Sequence, residues 1–350
     1  MGRLIHLVFS QGERYPVFID EDGIPDFWIT LYVTEILRAS LKQTAIENTI
    51  RNLTHLKLWE EMNQRDLVSE FSQAKFLSEA DIYSIRDHCL LSTRDLREWL
   101  ELKEKMNVSK LRVSHPTSMS HLQSVSKLHS GNRLVHIASY LHFTARSMLR
   151  MRPNFISVTV QIDQMKKLLI AQKPKGQGGK GLTTDPDSKA PPPEVFEKLM
   201  SVIKVDSPDN PYKNQSIRLR NSLMFEVLYE TGMRSGEVLG LQIGDVDFQE
   251  NKISIARRHD NPDDPRKRQP VAKTLERDIP VNTDLVRRLR NYVMDVRSKM
   301  ITAKTPPFLF ITHKRGRYQG HPLSESTCPR RLNIDPPCRF KIDPGRVARF

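Results

Sequence analysis

The stretch that most constrains this chain is residues 173–193, KPKGQGGKGLTTDPDSKAPPP. It is rich in Gly, Pro, Ser and Lys and has no hydrophobic period, so it offers no face to bury and reads as a flexible linker over 173–190. A break of that kind divides 350 residues into two parts, each long enough to close its own core. Pro193 then suits the first turn of a helix, where a missing N–H costs nothing.

Before the linker, RLIHLVFS and RYPVFID are short apolar runs around the turn signal QGE, which predicts a β-hairpin or extended arm over residues 1–25. From residue 26 to 172 the pattern is helical. Leu41, Ile46, Ile50, Leu53, Leu56 and Leu58 recur at three- and four-residue spacings in ASLKQTAIENTIRNLTHLKLWEEM, as in an amphipathic helix. LSEADIYSIRDHCLL opens with Ser78 and carries Asp81 three residues later, close to a capping box. DLREWLELKEKM and NRLVHIASYLHFTARSMLRM supply further helices, with a loop-rich section near 108–130.

After the linker, EVFEKLMSVI and SIRLRNSLMFEVLYETG are helices, the second stopped by Gly232 at the position that favours a left-handed cap. KISIARR alternates like a half-buried strand, and QPVAKTLERDIPV reads as two short strands around a turn near Thr274–Glu276. NTDLVRRLRNYVMDVRSKMI returns to helix, and PFLFITHKRG is expected to be a buried strand ending in a basic turn. Trp28, Trp59 and Trp99 sit in helical surroundings and read as core, while His88, His136 and His142 have no partners at ligand spacing. The fold class expected is mainly α with a small antiparallel β-sheet.

Lys and Arg total 55 against 41 Asp and Glu, a formal charge of +14. Such an excess favours a polyanion, nucleic acid before membrane, because neutralised phosphates release their counterions. The three cysteines, Cys89, Cys328 and Cys338, form no C-x-x-C pair and no zinc spacing, which suits a reducing cytosol and implies no structural metal. No apolar run approaches the ~20 residues needed to cross a bilayer, and the N-terminus lacks a signal-peptide core. A cytoplasmic, nucleoid-associated protein without membrane partners is expected.

The most informative stretch is LYETGMRSGEVLGLQIGDVDF, residues 228–248, where Arg234 sits between two helical runs and Glu237 follows one turn on. Together with KISIARR and AKTLERDIPV at the following spacing, it resembles the catalytic domain of the tyrosine recombinase (phage integrase) family over residues 191–327. The helical part before it stands where that family has its core-binding, SAM-like domain, and TAIENTIRNLTHLKLW resembles the family's core-binding helix. The resemblance implies site-specific DNA recombination: a tyrosine hydroxyl attacks a phosphodiester, leaves a 3′-phosphotyrosyl intermediate, and the strand is rejoined to another partner. Double-stranded DNA is then the partner, with other recombinase protomers as candidates, and no cofactor is implied. Fixed cationic donors must neutralise the phosphoryl charge, and the guanidinium fork suits a phosphate. By the same resemblance Arg234 matches the first catalytic arginine and Lys273 the hairpin lysine, a general acid towards the leaving 5′ oxygen. Glu237 would orient Arg234 from behind. Arg257, Arg258, Lys314, Arg315 and Arg317 are candidate DNA-backbone contacts, though charge runs are usually solvated faces.

The family pattern also calls for His-x-x-Arg, a further His or Trp, and a tyrosine nucleophile. His313 is followed by KRG and His321 by PLS, and the last tyrosine, Tyr318, lies ahead of the expected box in a Gly-rich loop. HPLSEST matches the usual entry to the next helix, with Ser324 or Ser326 as its cap. CPRRLNIDPPCRFKIDPGRVARF then places prolines at 329, 336, 337 and 344, which no continuous helix accommodates. The expectation is a truncated gene or a change of frame near Thr327–Pro329, leaving an incomplete catalytic domain and a non-homologous, disordered tail over 328–350. The function expected is DNA binding without strand transfer. The alternatives are a non-catalytic DNA-binding regulator or an inert remnant of a mobile element.

Overall fold

The computed structural model describes residues 2–109, 122–175, 193–272, 274–300 and 307–324, and for 104–109, 334–335 and 339–340 the backbone alone. Most of the 173–190 stretch, Lys273, Ser326 and nearly all of 328–350 lie outside the described residues. The chain divides into two units, one of residues 1–7 and 15–183, the other of residues 8–14 and 184–350.

Among the described residues the first unit is helical apart from most of the strands β1 (Arg3–Val8) and β2 (Arg14–Ile19), whose ends Val8 and Arg14 are counted in the second. The helices of the first unit are α1 (Phe27–Tyr32), α2 (Gln43–Met62), α3 (Leu67–Ser72), α4 (Glu79–Cys89), α5 (Thr93–Ser109), α6 (Lys127–Leu149) and α7 (Phe155–Ala171). Sequence spacing decides which faces meet. Leu134, Ile137, Ala138, Leu141, Ala145 and Leu149 line one stripe of α6, and Val158, Ile162, Met165 and Leu169 one stripe of α7; all are buried in one core with Ile46, Ile50, Leu53, Leu56 and Trp59 of α2. Leu41 precedes α2 and is exposed. At the start of α4 the Ser78 side chain accepts from the Asp81 N–H and the Asp81 carboxylate accepts from the Ser78 N–H, a complete capping box. Past the end of that helix, buried Arg133 of α6 donates to the carbonyls of Cys89 (2.9 Å) and Leu91 (2.6 Å) and to Thr93 Oγ1 (2.9 Å), satisfying acceptors a helix terminus leaves open.

The second unit holds α8 (Pro193–Ile203), α9 (Gln215–Thr231), α10 (Ser235–Gly240), α11 (Thr283–Asn291) and a three-stranded antiparallel sheet. The strands are β3 (Val246–Asp247), β4 (Lys252–Ile255) and β5 (Arg277–Pro280), in the order β3-β4-β5. β4 alternates as its sequence requires: Ile253 and Ile255 are buried, Lys252 and Ser254 are not. In register, Ile253 faces Ile279 and Ile255 faces Arg277. The apolar faces of α9, α10 and α11 close on this sheet through Leu223, Val227, Val238, Leu285 and Leu289. Further on, β6 (Ile334–Asp335) pairs antiparallel with β7 (Arg339–Phe340). Among the described residues no helix is long and apolar enough to cross a membrane.

Two expected strands are absent. Val271 and Ala272 form no ladder, because β5 takes β4 as its partner and Pro270 has no N–H to donate. Phe308–Ile311 is buried as expected, but it joins its neighbours only by the isolated bridges Gln242–Phe308 and Ile311–Pro322. The loop 256–270, which mixes both signs of charge, is held by internal ion pairs. Arg258 grips Asp245, and Arg266 grips Asp264, whose side chain is fully buried.

Gly232 ends α9 with φ 61°, and its N–H reaches the Leu228 carbonyl at 3.1 Å. An added methyl group would meet nothing within 4 Å, so only the backbone conformation opposes a side chain there. Gly232→Ala is expected to lower stability by about 1 kcal/mol, read from the denaturant midpoint. No measurable change would show that α9 ends without needing the left-handed residue.

Candidate functional site

The turn after Gly232 puts Arg234 immediately before α10, in an extended conformation (φ −72°, ψ 150°) that turns the chain into the new helix. The Glu237 carboxylate, three residues on, accepts from the Arg234 backbone N–H at 3.0 Å. Local sequence therefore sets both the helix start and the acid beneath it.

The Glu237 side chain is only 1% exposed, yet it is well satisfied. Thr274 Oγ1 donates to Oε1 at 2.6 Å, and Arg277 donates to Oε2 at 3.2 Å and to Thr274 Oγ1 at 2.5 Å. The Arg234 guanidinium stands 3.7 Å from Oε1, with its side chain 61% exposed. The carboxylate thus fixes the Arg234 backbone firmly and its guanidinium loosely, while its closest cationic partner is Arg277. Burial alone would push the Glu237 carboxyl up, but the hydrogen bonds from Thr274, the Arg234 backbone and Arg277 outweigh it and hold the group below its ordinary 4.5.

This ring brings together three residues of two separate sequence motifs. Lys273 lies outside the described residues, but the residue after it, Thr274, is bound to the acid of the arginine turn. Arg277 stood in the quoted sequence only as a neighbour of the lysine. Its place at the start of β5, facing Ile255, was the signal available, because a strand residue paired there projects at the same end of the sheet as the hairpin turn.

The other candidates are placed differently. Arg257 donates from Nε to the Thr274 carbonyl, and its backbone N–H reaches the Glu276 carboxylate at 3.0 Å. Arg258 spends both terminal nitrogens on Asp245 (2.9 and 2.5 Å) and works as a loop anchor. Lys314, Arg315 and Arg317 are exposed on a turn that contains Gly316 at φ 136°. That turn is anchored from below: buried His313 shares a 3.0 Å hydrogen bond between Nε2 and the Tyr292 hydroxyl, and the two rings stack. Burial first, then the nearby Arg220 charge, drives His313 down to about 4, so it is neutral at physiological pH. Tyr318 is exposed beside Arg317 and His321. No group of three or more His, Cys, Asp and Glu that could hold a metal occurs among the described residues.

The phage integrase family model matches residues 192–333, past residue 327, the expected end of the resemblance. A tyrosine recombinase XerC of Herpetosiphon aurantiacus is 28% identical over 146 residues, 40% of this chain and 43% of the relative. A XerC of Halalkalibacterium halodurans is 24% identical over 239 residues, 66% of this chain and 62% of that one. The chain thus spans roughly half the length of the curated relatives it matches. Among solved structures, a Tn1549 transposon integrase in complex with circular intermediate DNA is 16% identical, with a TM-score of 0.37 over 85% of this chain and 73% of that chain; the superposition is too loose to place any residue. The arginine turn, the β4–β5 ladder and the lysine segment all lie inside residues 192–333, the stretch that matches the phage integrase family model and is similar to tyrosine recombinases.

Proposed function

We propose that this chain binds duplex DNA, gripping a backbone phosphate with Arg234, and that residues 1–350 bind the phosphate without breaking its ester. The observation that supports this most is the combination at the turn: a guanidinium 61% exposed on a backbone locked to a buried carboxylate. An arginine whose backbone is fixed that way can extend into solvent and donate two hydrogen bonds to one phosphate. The net charge of +14 favours the same partner. In the family's chemistry Lys273 would protonate the leaving oxygen. A covalent step also needs a tyrosine oxygen in an activating shell, and no His-x-x-Arg and no tyrosine follow Tyr318 in these residues. The reading therefore separates holding the phosphate from cutting it.

Fluorescence anisotropy with duplex DNA across a salt series tests the first half. Arg234→Ala is expected to weaken binding roughly tenfold and to reduce the slope of log K against log salt by about 1. Unchanged affinity and slope would sink the assignment of Arg234. Incubation with a nicked duplex tests the second half, with no protein–DNA adduct expected on a denaturing gel. An adduct that maps to a tyrosine would overturn it. Binding at low salt with a steep salt slope supports a DNA-occupying protein over an inert remnant.

A further inference from the structure

We propose that Arg277 is a second phosphate-binding side chain, paired with Arg234 across the Glu237 carboxylate. This rests on the reading of Arg234 given above and extends it to a residue outside the expected set. Both guanidiniums lie within 4 Å of an oxygen of the same carboxylate, Arg234 at 3.7 Å from Oε1 and Arg277 at 3.2 Å from Oε2. Two cations on one acid leave a net charge of +1, which a phosphodiester would neutralise. Burial of the carboxylate, 1% exposed, places it behind the two arginines, out of reach of an incoming anion.

Arg277 meets the remaining requirements. Its backbone is fixed by the β4–β5 ladder opposite Ile255. Terminal nitrogens NH1 and NH2 donate to Thr274 Oγ1 and Glu237 Oε2, and the side chain is still 36% exposed. A guanidinium carries five N–H donors, so two inward bonds orient the group and leave others for a ligand. Thr274 completes the support, donating to Glu237 while accepting from Arg277. A phosphate ligand requires an exposed edge, held in a preset orientation.

The salt dependence of DNA binding by the full chain separates the two roles, because only a cation that displaces counterions from phosphate changes the slope. Arg277→Met is expected to lower affinity for a generic duplex roughly tenfold and to reduce the log K–log salt slope by about 1. Arg277→Gln keeps a donor for Glu237 but no charge, and should show the same slope change if the methionine variant folds poorly. Thr274→Val removes a support without removing a cation, and should leave the slope as in the wild type. An unchanged slope in both Arg277 variants, whatever the affinity or melting temperature, would make Arg277 a purely structural residue and overturn the proposal. A slope change of equal size in Thr274→Val would overturn it as well, since the effect would then come from collapse of the ring. If Arg234→Ala lowers the slope and the Arg277 variants do not, only this inference fails; if Arg234→Ala has no effect, the reading beneath it fails too.

Discussion

Acidifying the protein from pH 6.5 to about pH 4.5 is expected to remove about 4 kcal/mol of stability from the helical unit through two buried histidines. His55 of α2 and His88 of α4 lie side by side in its interior, ring centroids 4.4 Å apart, with 0% and 7% exposure. Burial first, then the neighbouring His88 and Arg133 charges, drives His55 from 6.5 down to about 2. Burial and Arg133 drive His88 down to about 4. Both folded values lie below the ordinary one, so the unfolded chain takes up protons that the folded chain refuses. Stability is therefore complete above pH 6.5 and falls as the pH drops towards the folded values. Each histidine contributes a loss that approaches about 1.4 kcal/mol per pH unit, and His88 begins to take up its proton in the fold as the pH nears 4. A loss of that size is comparable to the whole stability of an ordinary domain. Trp28, Trp59 and Trp99 all belong to the helical unit, so urea titrations followed by tryptophan fluorescence report on it alone. His88→Gln should make the pH slope shallower whatever it does to absolute stability. A stability that stays flat between pH 6.5 and 4.5 would show that these histidines are already charged in the fold.

Arg266→Leu is expected to cost the second unit about 4 kcal/mol. The guanidinium donates from Nε and NH2 to the Asp264 carboxylate (2.8 and 2.7 Å) and from NH1 to the carbonyls of Leu239 (3.0 Å) and Leu323 (2.7 Å). Its cationic carbon lies 4.7 Å from the centre of the Phe308 ring. Asp264 is fully buried at its side chain, so removing the arginine leaves its carboxylate with the backbone N–H of residue 266 and the nearby Arg14 charge but without its ion pair, and takes a donor from two carbonyls. Calorimetry gives the size of the loss, and hydrogen exchange at residues 239–241 and 308–310 gives its place. The double variant Asp264→Asn/Arg266→Leu should be more stable than Arg266→Leu alone, since it no longer buries an unpaired charge. Equal stability of the single variant and the wild type would mean that the pair is solvated.

Much of this architecture is written in short-range patterns. The Ser78–Asp81 box, the stop at Gly232, the helix start at Pro193 and the alternation of β4 each depend on residues within one or two turns of one another. Local backbone sterics and capping decide them before any long-range contact forms. The same holds for the arginine turn, where Glu237 reaches the Arg234 N–H from three residues away. The two strands expected around Pro270 and Phe308 went differently because the choice of ladder partner is made between segments, and β4 had only one free edge for β5.

Sequence by itself determined several helix ends (the Ser78 cap, the Pro193 start and the Gly232 stop), the mainly helical class with its small antiparallel sheet, and the family model that residues 192–333 match. Tertiary structure alone decided which charges are buried and with whom. Glu237 takes Thr274 and Arg277 from 37 and 40 residues away. His55 packs on His88, and a loop of mixed charge hides Asp264 under Arg266. The physical reason is that helix and strand preferences are set by nearest neighbours along the chain. The cost of burying a charge depends on which distant groups surround it, and those are known only once the chain has folded.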